Sequence, residues 1–189
     1  MSAKPRWVLP VVLLAMIATV SAGIVARQLY FDPDSSPVAV LPSENQVPPD
    51  EQPGPATVEA TKDAADHPLY DDLRGVLQAY FDAINTRNYD QWRHVVTAGR
   101  VKEEPERKWR ESYESTRDGT IVMWRIETGA NDSARVLLSF TSTQNEDKAP
   151  IELPLGCLRW RLIWAFVVED GAWKIDVGET NFIPQHQGC

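Results

Sequence analysis

The feature that most constrains the fold is a change in hydrophobic period near Gly119. Before it, apolar residues recur at helical spacing, at positions 69, 73, 76, 77, 80 and 84. After it, apolar and polar residues alternate, which predicts strands over 120–127, 134–142, 158–169 and 173–178. Turn-forming residues at 129–133 and 170–171 predict hairpins. Helices followed by an antiparallel meander predict an α+β domain whose curved sheet wraps the first long helix.

Local signals divide the helical part into three. Asp66-His67-Pro68 is a helix start, with a capping side chain followed by proline in the first turn. The polar run 85–88 ends this helix, and apolar residues from Tyr89 to Val96 predict a short second one. A third amphipathic helix is predicted over 104–116.

The amino-terminal region contains an uncharged apolar run over residues 7–26, whose 20 residues are long enough to span a bilayer as a helix. Lys4 and Arg6 precede it, so the positive-inside rule keeps the tail 1–6 in the cytoplasm. We therefore predict a single-pass anchor over 7–30 in the cell membrane. Cleavage as a signal peptide after Val20-Ser21-Ala22 is the alternative. Either way, everything after residue 30 is extracytoplasmic.

The next segment, residues 31–66, holds seven prolines and eight acidic residues. Such a composition buries little apolar surface, so we predict a disordered linker that carries a domain of residues 67–189. That domain has 15 Lys and Arg against 19 Asp and Glu. Because no segment has the basic excess that phosphate neutralisation requires, we expect no nucleic-acid partner.

Two stretches carry a resemblance to a known superfamily. YFDAINTRNYDQW (80–92) ends a helix and turns into the next, and EDGAWKIDVGE (169–179) closes the sheet. This combination resembles the nuclear-transport-factor-two-like superfamily, which includes SnoaL-like polyketide cyclases and ketosteroid isomerases. The resemblance covers residues 67 to about 180. It implies a cone-like fold with a pocket on the concave face, and it implies no function, because this scaffold carries enzymes and binding proteins alike.

The predicted inner face of the sheet is almost wholly apolar, as in the alternation Trp160, Leu162, Trp164, Phe166 and Val168. The residues we expect to line a ligand pocket are Tyr80, Trp92, Trp160, Trp164 and Phe166.

Candidate catalytic groups are scarce. Asp176 alternates onto the opposite face, Asp82 lies off the helix stripe, and neither Tyr80 nor His94 has a carboxylate partner in the pattern. The three histidines, His67, His94 and His186, lack metal-ligand spacing, and no cofactor motif occurs. We therefore expect no catalytic residue, no metal and no cofactor.

Two cysteines, Cys157 and Cys189, lie in the part that the membrane segment would export to an oxidising compartment. The tail from 178 to 189 is long enough to reach back, so we predict a disulfide between them. The alternative is a buried Cys157 and a free Cys189.

The predicted outer face of the long strand carries Ile163, Ala165 and Val167, an apolar patch that needs a cover. A homodimer, another envelope protein or the carboxy-terminal tail would provide this cover.

The favoured function is a membrane-tethered, extracytoplasmic, non-enzymatic domain that binds a protein partner or a small apolar ligand at the bacterial envelope. Scaffolds of type IV secretion machines and Mce-associated proteins of actinobacteria share this order of segments. The alternative is a SnoaL-like isomerase, cyclase or dehydratase acting on a small hydrophobic substrate.

Overall fold

The computed structural model of the chain describes residues 47–176 and 184–189. The predicted anchor, residues 7–30, and the first part of the predicted linker lie outside these residues. Within the part of the chain that is described, no helix combines the length and the apolar character needed to cross a bilayer.

Apart from one three-residue strand at 58–60, helices come first and strands follow, as the change in period predicts. The helices are α1 (Lys62–Ala65), α2 (Tyr70–Thr86), α3 (Tyr89–Val95), α4 (Ala98–Glu103) and α5 (Glu106–Ser112). The strands are β1 (Val58–Ala60), β2 (Arg117–Thr128), β3 (Ser133–Thr143), β4 (Cys157–Glu169), β5 (Ala172–Asp176) and β6 (Gln185–Gly188). The domain is therefore of the α+β class.

The strands form one curved, mixed sheet in the order β1-β2-β3-β4-β5, with β6 beside β4. The pairs from β2 to β5 are antiparallel, whereas β1 runs parallel to β2. The prediction of a purely antiparallel sheet is therefore wrong, because the parallel strand β1 is added at its edge. Register shifts in β2, between Gly119 and Val122 and between Met123 and Arg125, interrupt its pairing with β3. Such bulges bend a strand and increase its twist.

Part of the predicted disordered linker belongs to the fold. Val58 is 1% exposed; its N–H donates to Gln78 Oε1 at 2.8 Å, and its carbonyl accepts from Arg74 Nε at 3.0 Å. Ala64 is also fully buried. The linker prediction is therefore wrong for residues 47–66, because contacts with α2 and β2 supply the burial that the local composition lacks.

Helix α2 begins and ends close to the predicted positions. Its N-cap is Leu69 rather than Asp66 or His67, and His67 contributes by accepting the Leu69 N–H at Nδ1. At its carboxyl end Arg87 adopts a left-handed conformation with φ 61°, and the Asn88 side chain caps α3. This is the corner predicted at 85–88.

The third predicted helix, 104–116, is the shorter α5 (Glu106–Ser112), and the separate helix α4 precedes it outside the predicted range. Helix α4 ends at Glu103, and Pro105 is the N-cap of α5. Proline has no N–H to continue the hydrogen-bond ladder of a preceding helix, so the chain restarts there. After Ser112 the chain leaves the helix, so the predicted end at 116 is also too late.

The core lies between α2 and the inner face of the sheet. Leu73, Leu77 and Phe81 from α2 are fully buried, as are Phe166 of β4 and Ile175 of β5. The predicted inner face is thus confirmed for most of its length. It is wrong at Val168, which is 40% exposed because it lies beside the β4–β5 turn, beyond the reach of α2.

The carboxy-terminal tail returns to the sheet, as the disulfide prediction requires. Strand β6 pairs with the start of β4, and Cys157 and Cys189 are disulfide-bonded with their Cα atoms 5.5 Å apart. The predicted pairing is confirmed. On the opposite face of β4, the patch of Ile163, Ala165 and Val167 is half-buried.

Candidate ligand cavity

A cavity of about 520 Å³ opens between the carboxyl half of α2, helices α4 and α5, and the ends of β2, β3 and β4 nearest those helices. Helix α2 supplies one wall because its apolar stripe turns towards the sheet. The sheet supplies the other, because side chains two residues apart on a strand share a face.

Aromatic side chains form most of the apolar wall. Trp164 of β4 stands edge-on to Tyr80 with ring centroids 4.8 Å apart, and it stacks on Phe81 at 5.7 Å. Phe140 of β3 lies 5.1 Å from Phe81 and stacks on Trp160 at 6.3 Å. Each ring is held by at least one other, so this wall is pre-formed rather than assembled by a ligand.

Two tyrosine hydroxyls meet in the cavity. Tyr80 projects from α2 and Tyr113 follows α5, and their hydroxyl oxygens are 3.5 Å apart. Burial raises the pKa of Tyr80 well above its ordinary value, and burial likewise raises the pKa of Tyr113. Both phenols are therefore neutral at physiological pH. One hydroxyl donates to the other, and the proton of the accepting hydroxyl is free for a ligand.

A buried carboxyl group completes the polar side of the cavity. Asp118, near the start of β2, is 4% exposed, and the hydroxyl of Ser142 donates a hydrogen bond to its Oδ1. Burial raises the pKa of Asp118 to about 6, although the Ser142 hydrogen bond and the charge of Arg87 act in the opposite direction. The carboxyl group therefore titrates in the weakly acidic range, a little below neutral pH.

The backbone of Asp118 is fixed by the helix corner. Asn85, in the last turn of α2, accepts the Asp118 N–H at 2.8 Å and donates its amide to the Asp118 carbonyl at 2.9 Å. The polar corner therefore joins α2 to the strand that carries the carboxyl group.

The remaining charged side chains of the cavity carry both signs. Arg100 and Glu104 come from α4 and its carboxyl end, and Lys148 comes from the turn before β4. Glu104 Oε1 pairs with Lys108 at 3.1 Å, while its Oε2 is buried without a hydrogen-bond partner. A ligand hydroxyl or a water molecule would satisfy this oxygen.

The predicted pocket residues divide into two groups. Tyr80, Trp160 and Trp164 line the cavity. Phe166 and Trp92 are fully buried in the core and do not border it. Trp92 stacks instead on Tyr89, with ring centroids 5.5 Å apart.

The groups weighed as catalytic candidates lie elsewhere, apart from Tyr80. Asp82 accepts a hydrogen bond from Gln78 at 2.9 Å, the His94 ring contacts the Asp90 carbonyl, and Asp176 accepts from Thr97 at 3.5 Å. None of the three borders the cavity. Among residues 47–176 and 184–189, no three His, Cys, Asp or Glu side chains are close enough to hold a metal ion.

The expectation of an almost wholly apolar inner face is wrong at the open end. Asp118, Tyr113 and Ser142 were not singled out in the sequence. Ser142 follows Phe140 by two residues and therefore shares its inward face. A polar residue at the end of an otherwise apolar face was the signal in the sequence that could have indicated this site. Asp118 precedes the predicted strand start, and its pairing with Ser142 depends on the true boundary of β2.

These features define an α+β domain with a curved mixed sheet and a pre-formed, partly polar cavity. Comparisons with protein-family models and with curated proteins find no match. Among solved structures, the chain is similar to an uncharacterised protein with a cystatin-like fold from Caulobacter vibrioides. The two are 16% identical, with a TM-score of 0.41 over 56% of this chain and 82% of that one.

Proposed function

We propose that this domain binds a small, largely apolar ligand in the cavity, as a non-enzymatic member of the nuclear-transport-factor-two-like superfamily. The observation that carries the proposal is the cavity of about 520 Å³ with its interlocked aromatic wall. Small-molecule sites are typically concave spaces of roughly 300–1,000 Å³, mainly apolar, with a few placed polar groups. The tyrosine pair and Asp118 are those groups here.

The ligand chemistry follows from the lining. Stacked and edge-on rings favour a flat or cyclic apolar body. The neutral Tyr80 and Tyr113 hydroxyls suit a carbonyl or hydroxyl on that body. Asp118 adds an acceptor when ionised and a donor when protonated. Because Arg100 and Glu104 carry opposite charges, the lining gives no preference for a strongly charged ligand.

The location is part of the same proposal. Residues 7–30 would anchor the chain in the cell membrane, and the acidic, proline-rich segment after them would place the domain outside the cytoplasm. A ligand-binding domain so placed would act at the bacterial envelope, alone or with a protein partner.

A titration with Nile red, a neutral apolar dye, tests the cavity. Leu162 of β4 borders the cavity, so Leu162→Trp would fill it, and we expect saturable dye binding to weaken at least tenfold. The control is Val168→Trp, which adds the same ring to an exposed position of the same strand. Equal binding by both variants, or no saturable binding by the unmodified chain, would contradict the proposal.

A second candidate function, an isomerase, cyclase or dehydratase, is favoured by Asp118. A general base works best when its pKa lies near the working pH, and the pKa of Asp118 is about 6. The ionised carboxylate would remove a proton from the substrate. A neutral tyrosine hydroxyl would donate to the substrate oxygen on which negative charge develops.

Hydrogen exchange separates the two functions. The exchange of α-hydrogens of cyclohexanone in D₂O, followed by NMR, is expected to be accelerated only by an enzyme. The acceleration would fall as pH is lowered through about 6 and would be abolished by Asp118→Asn. A chain that binds Nile red but leaves the exchange rate at its uncatalysed value is a binding protein.

A further inference from the structure

A second, smaller groove of about 240 Å³ lies over the start of β4 and its neighbour β6. Register places four polar side chains on one face here, since Arg159 is opposite Gln187 and Arg161 is opposite Gln185. These four side chains project from the face opposite Trp160 and Trp164. Trp160 and His186 also border the groove, and Trp160 borders the ligand cavity as well.

The two arginines differ in their surroundings: Arg161 is exposed and lies over an aromatic ring, whereas Arg159 is half-buried. The Arg161 guanidinium lies 5.3 Å from the centroid of the Trp124 ring, and the Trp124 indole N–H donates to Ser139 at 2.8 Å. Arg159 Nε is buried and has no hydrogen-bond partner among the residues that the structure describes. Within the described residues, neither arginine forms an ion pair with an acidic side chain.

This arrangement is costly without an anion. Residues two apart on a strand have Cα atoms roughly 6.5–7 Å apart, so the two arginines place like charge on one face, with a modest repulsion because Arg161 is exposed. A buried N–H without an acceptor adds the cost of its lost hydration. An anion between the arginines would remove both costs.

We propose that this groove binds a phosphate group, with Arg159 and Arg161 supplying the charge and Gln185 and Gln187 supplying amide donors. A tetrahedral phosphate presents several acceptor oxygens in different directions, which suits donors from two neighbouring strands. A carboxylate presents two oxygens in one plane and leaves part of this donor set unused. Guanidinium groups form paired hydrogen bonds with phosphate oxygens.

The phosphate could be free or part of a lipid headgroup, and calorimetry on the full-length chain in a neutral detergent distinguishes the two. One titration uses inorganic phosphate and the other dihexanoyl phosphatidylglycerol. We expect the doubly substituted Arg159→Gln, Arg161→Gln chain to bind the effective probe at least tenfold more weakly than the unmodified chain. Arg135→Gln, which removes an exposed arginine from the same sheet face, is the control and should change the affinity less than twofold.

Binding of inorganic phosphate supports a free phosphate ligand, and binding of the lipid alone supports a headgroup. Retention of the disulfide and of the thermal unfolding midpoint shows that the variant is folded. Arg159→Lys keeps the charge but lacks Nε, and we expect it to weaken binding as well. Acetate binding as tightly as phosphate, binding unaffected by the arginine substitutions, or binding of neither phosphate probe at millimolar concentration would overturn the proposal.

Discussion

Asp118 and Ser142 face each other across strands β2 and β3, and the Ser142 hydroxyl donates a hydrogen bond to the Asp118 carboxylate. The pair lies at the open end of the sheet, where the apolar inner face gives way to the cavity. One hydroxyl does not replace the hydration that a carboxylate loses on burial. This imbalance raises the pKa of Asp118 to about 6 and makes the group sensitive to pH near neutrality.

The first prediction concerns this pH dependence. A folded-state pKa of about 6, against an ordinary value of 3.8, means that the folded chain binds more protons than the unfolded chain between these values. The contribution of Asp118 to the free energy of unfolding therefore falls as pH rises through this window, and the loss is complete above it. Asp118→Asn still accepts from Ser142 but does not ionise. We compare the free energy of unfolding of the variant with that of the unmodified chain at each pH. We expect this difference to favour the variant more at high pH than at low pH, by up to about 3 kcal/mol.

Urea unfolding at about pH 4 and about pH 8 measures the difference. Asp147→Asn, at an exposed site, serves as the control and should show little change between the two conditions. A stability difference for Asp118→Asn that is the same at both pH values would contradict a raised pKa.

The second prediction concerns Asn85, whose side chain makes both hydrogen bonds to the Asp118 backbone. Asn85→Ala leaves a buried N–H and carbonyl without these partners, so we expect the free energy of unfolding to fall by about 2–3 kcal/mol. The exposed Asn145→Ala is the matched control and should change it by less than about 0.5 kcal/mol. Equal losses in the two variants would show that the corner does not fix β2.

The third prediction concerns the disulfide. Cys157 and Cys189 are separated by 32 residues, and closing such a loop stabilises a fold by about 3–4 kcal/mol in the chain-entropy model. We expect replacement of both cysteines by serine to lower the free energy of unfolding by this amount, and reduction of the unmodified chain to have the same effect. Two alkylated thiols in the unreduced, denatured chain would show that the bond does not form.

The fourth prediction concerns self-association through the apolar patch of Ile163, Ala165 and Val167. These side chains are half-buried within one chain, so a second copy would exclude the remaining water. We expect Ile163→Glu to shift the chain towards monomer in sedimentation equilibrium, with Glu127→Gln as a surface control. If the unmodified chain is monomeric at high concentration, the prediction of a homodimer is wrong.

The fifth prediction concerns topology. External protease added to intact cells is expected to remove the region beyond about residue 31 and to leave a protected amino-terminal fragment. A soluble mature protein that begins at Gly23 would show a cleaved signal peptide instead of an anchor.

Several elements were predictable because their signals are local. The stripe of Leu73, Leu77 and Tyr80 predicted α2, and the alternation around Trp164 predicted β4. The disulfide was predictable from two cysteines and the reach of a tail. Each prediction uses residues close together in the chain or a single distance constraint.

The wrong predictions concern features that depend on residues far apart in the chain. Residues 58–60 have the composition of a linker and become a strand because β2 offers a free edge and α2 offers Gln78 and Arg74 as partners. Asp118 lies before the predicted strand start at residue 120 and becomes a buried cavity group because β2 begins at Arg117. In both cases the deciding partner lies many residues away.

The sequence by itself therefore determined the class of the domain, the order of its main helices and long strands, and the inward face of α2 and β4. Periodicity dictates these features, since a helix or strand must bury its apolar side. Only the tertiary structure decided where that face stops being apolar. The register of β2 and β3 places Asp118 against Ser142, and Asn85 joins the end of α2 to β2. Both residues then line the same cavity as the tyrosine pair. That meeting of distant segments depends on register and bulges, for which a single chain carries no local signal.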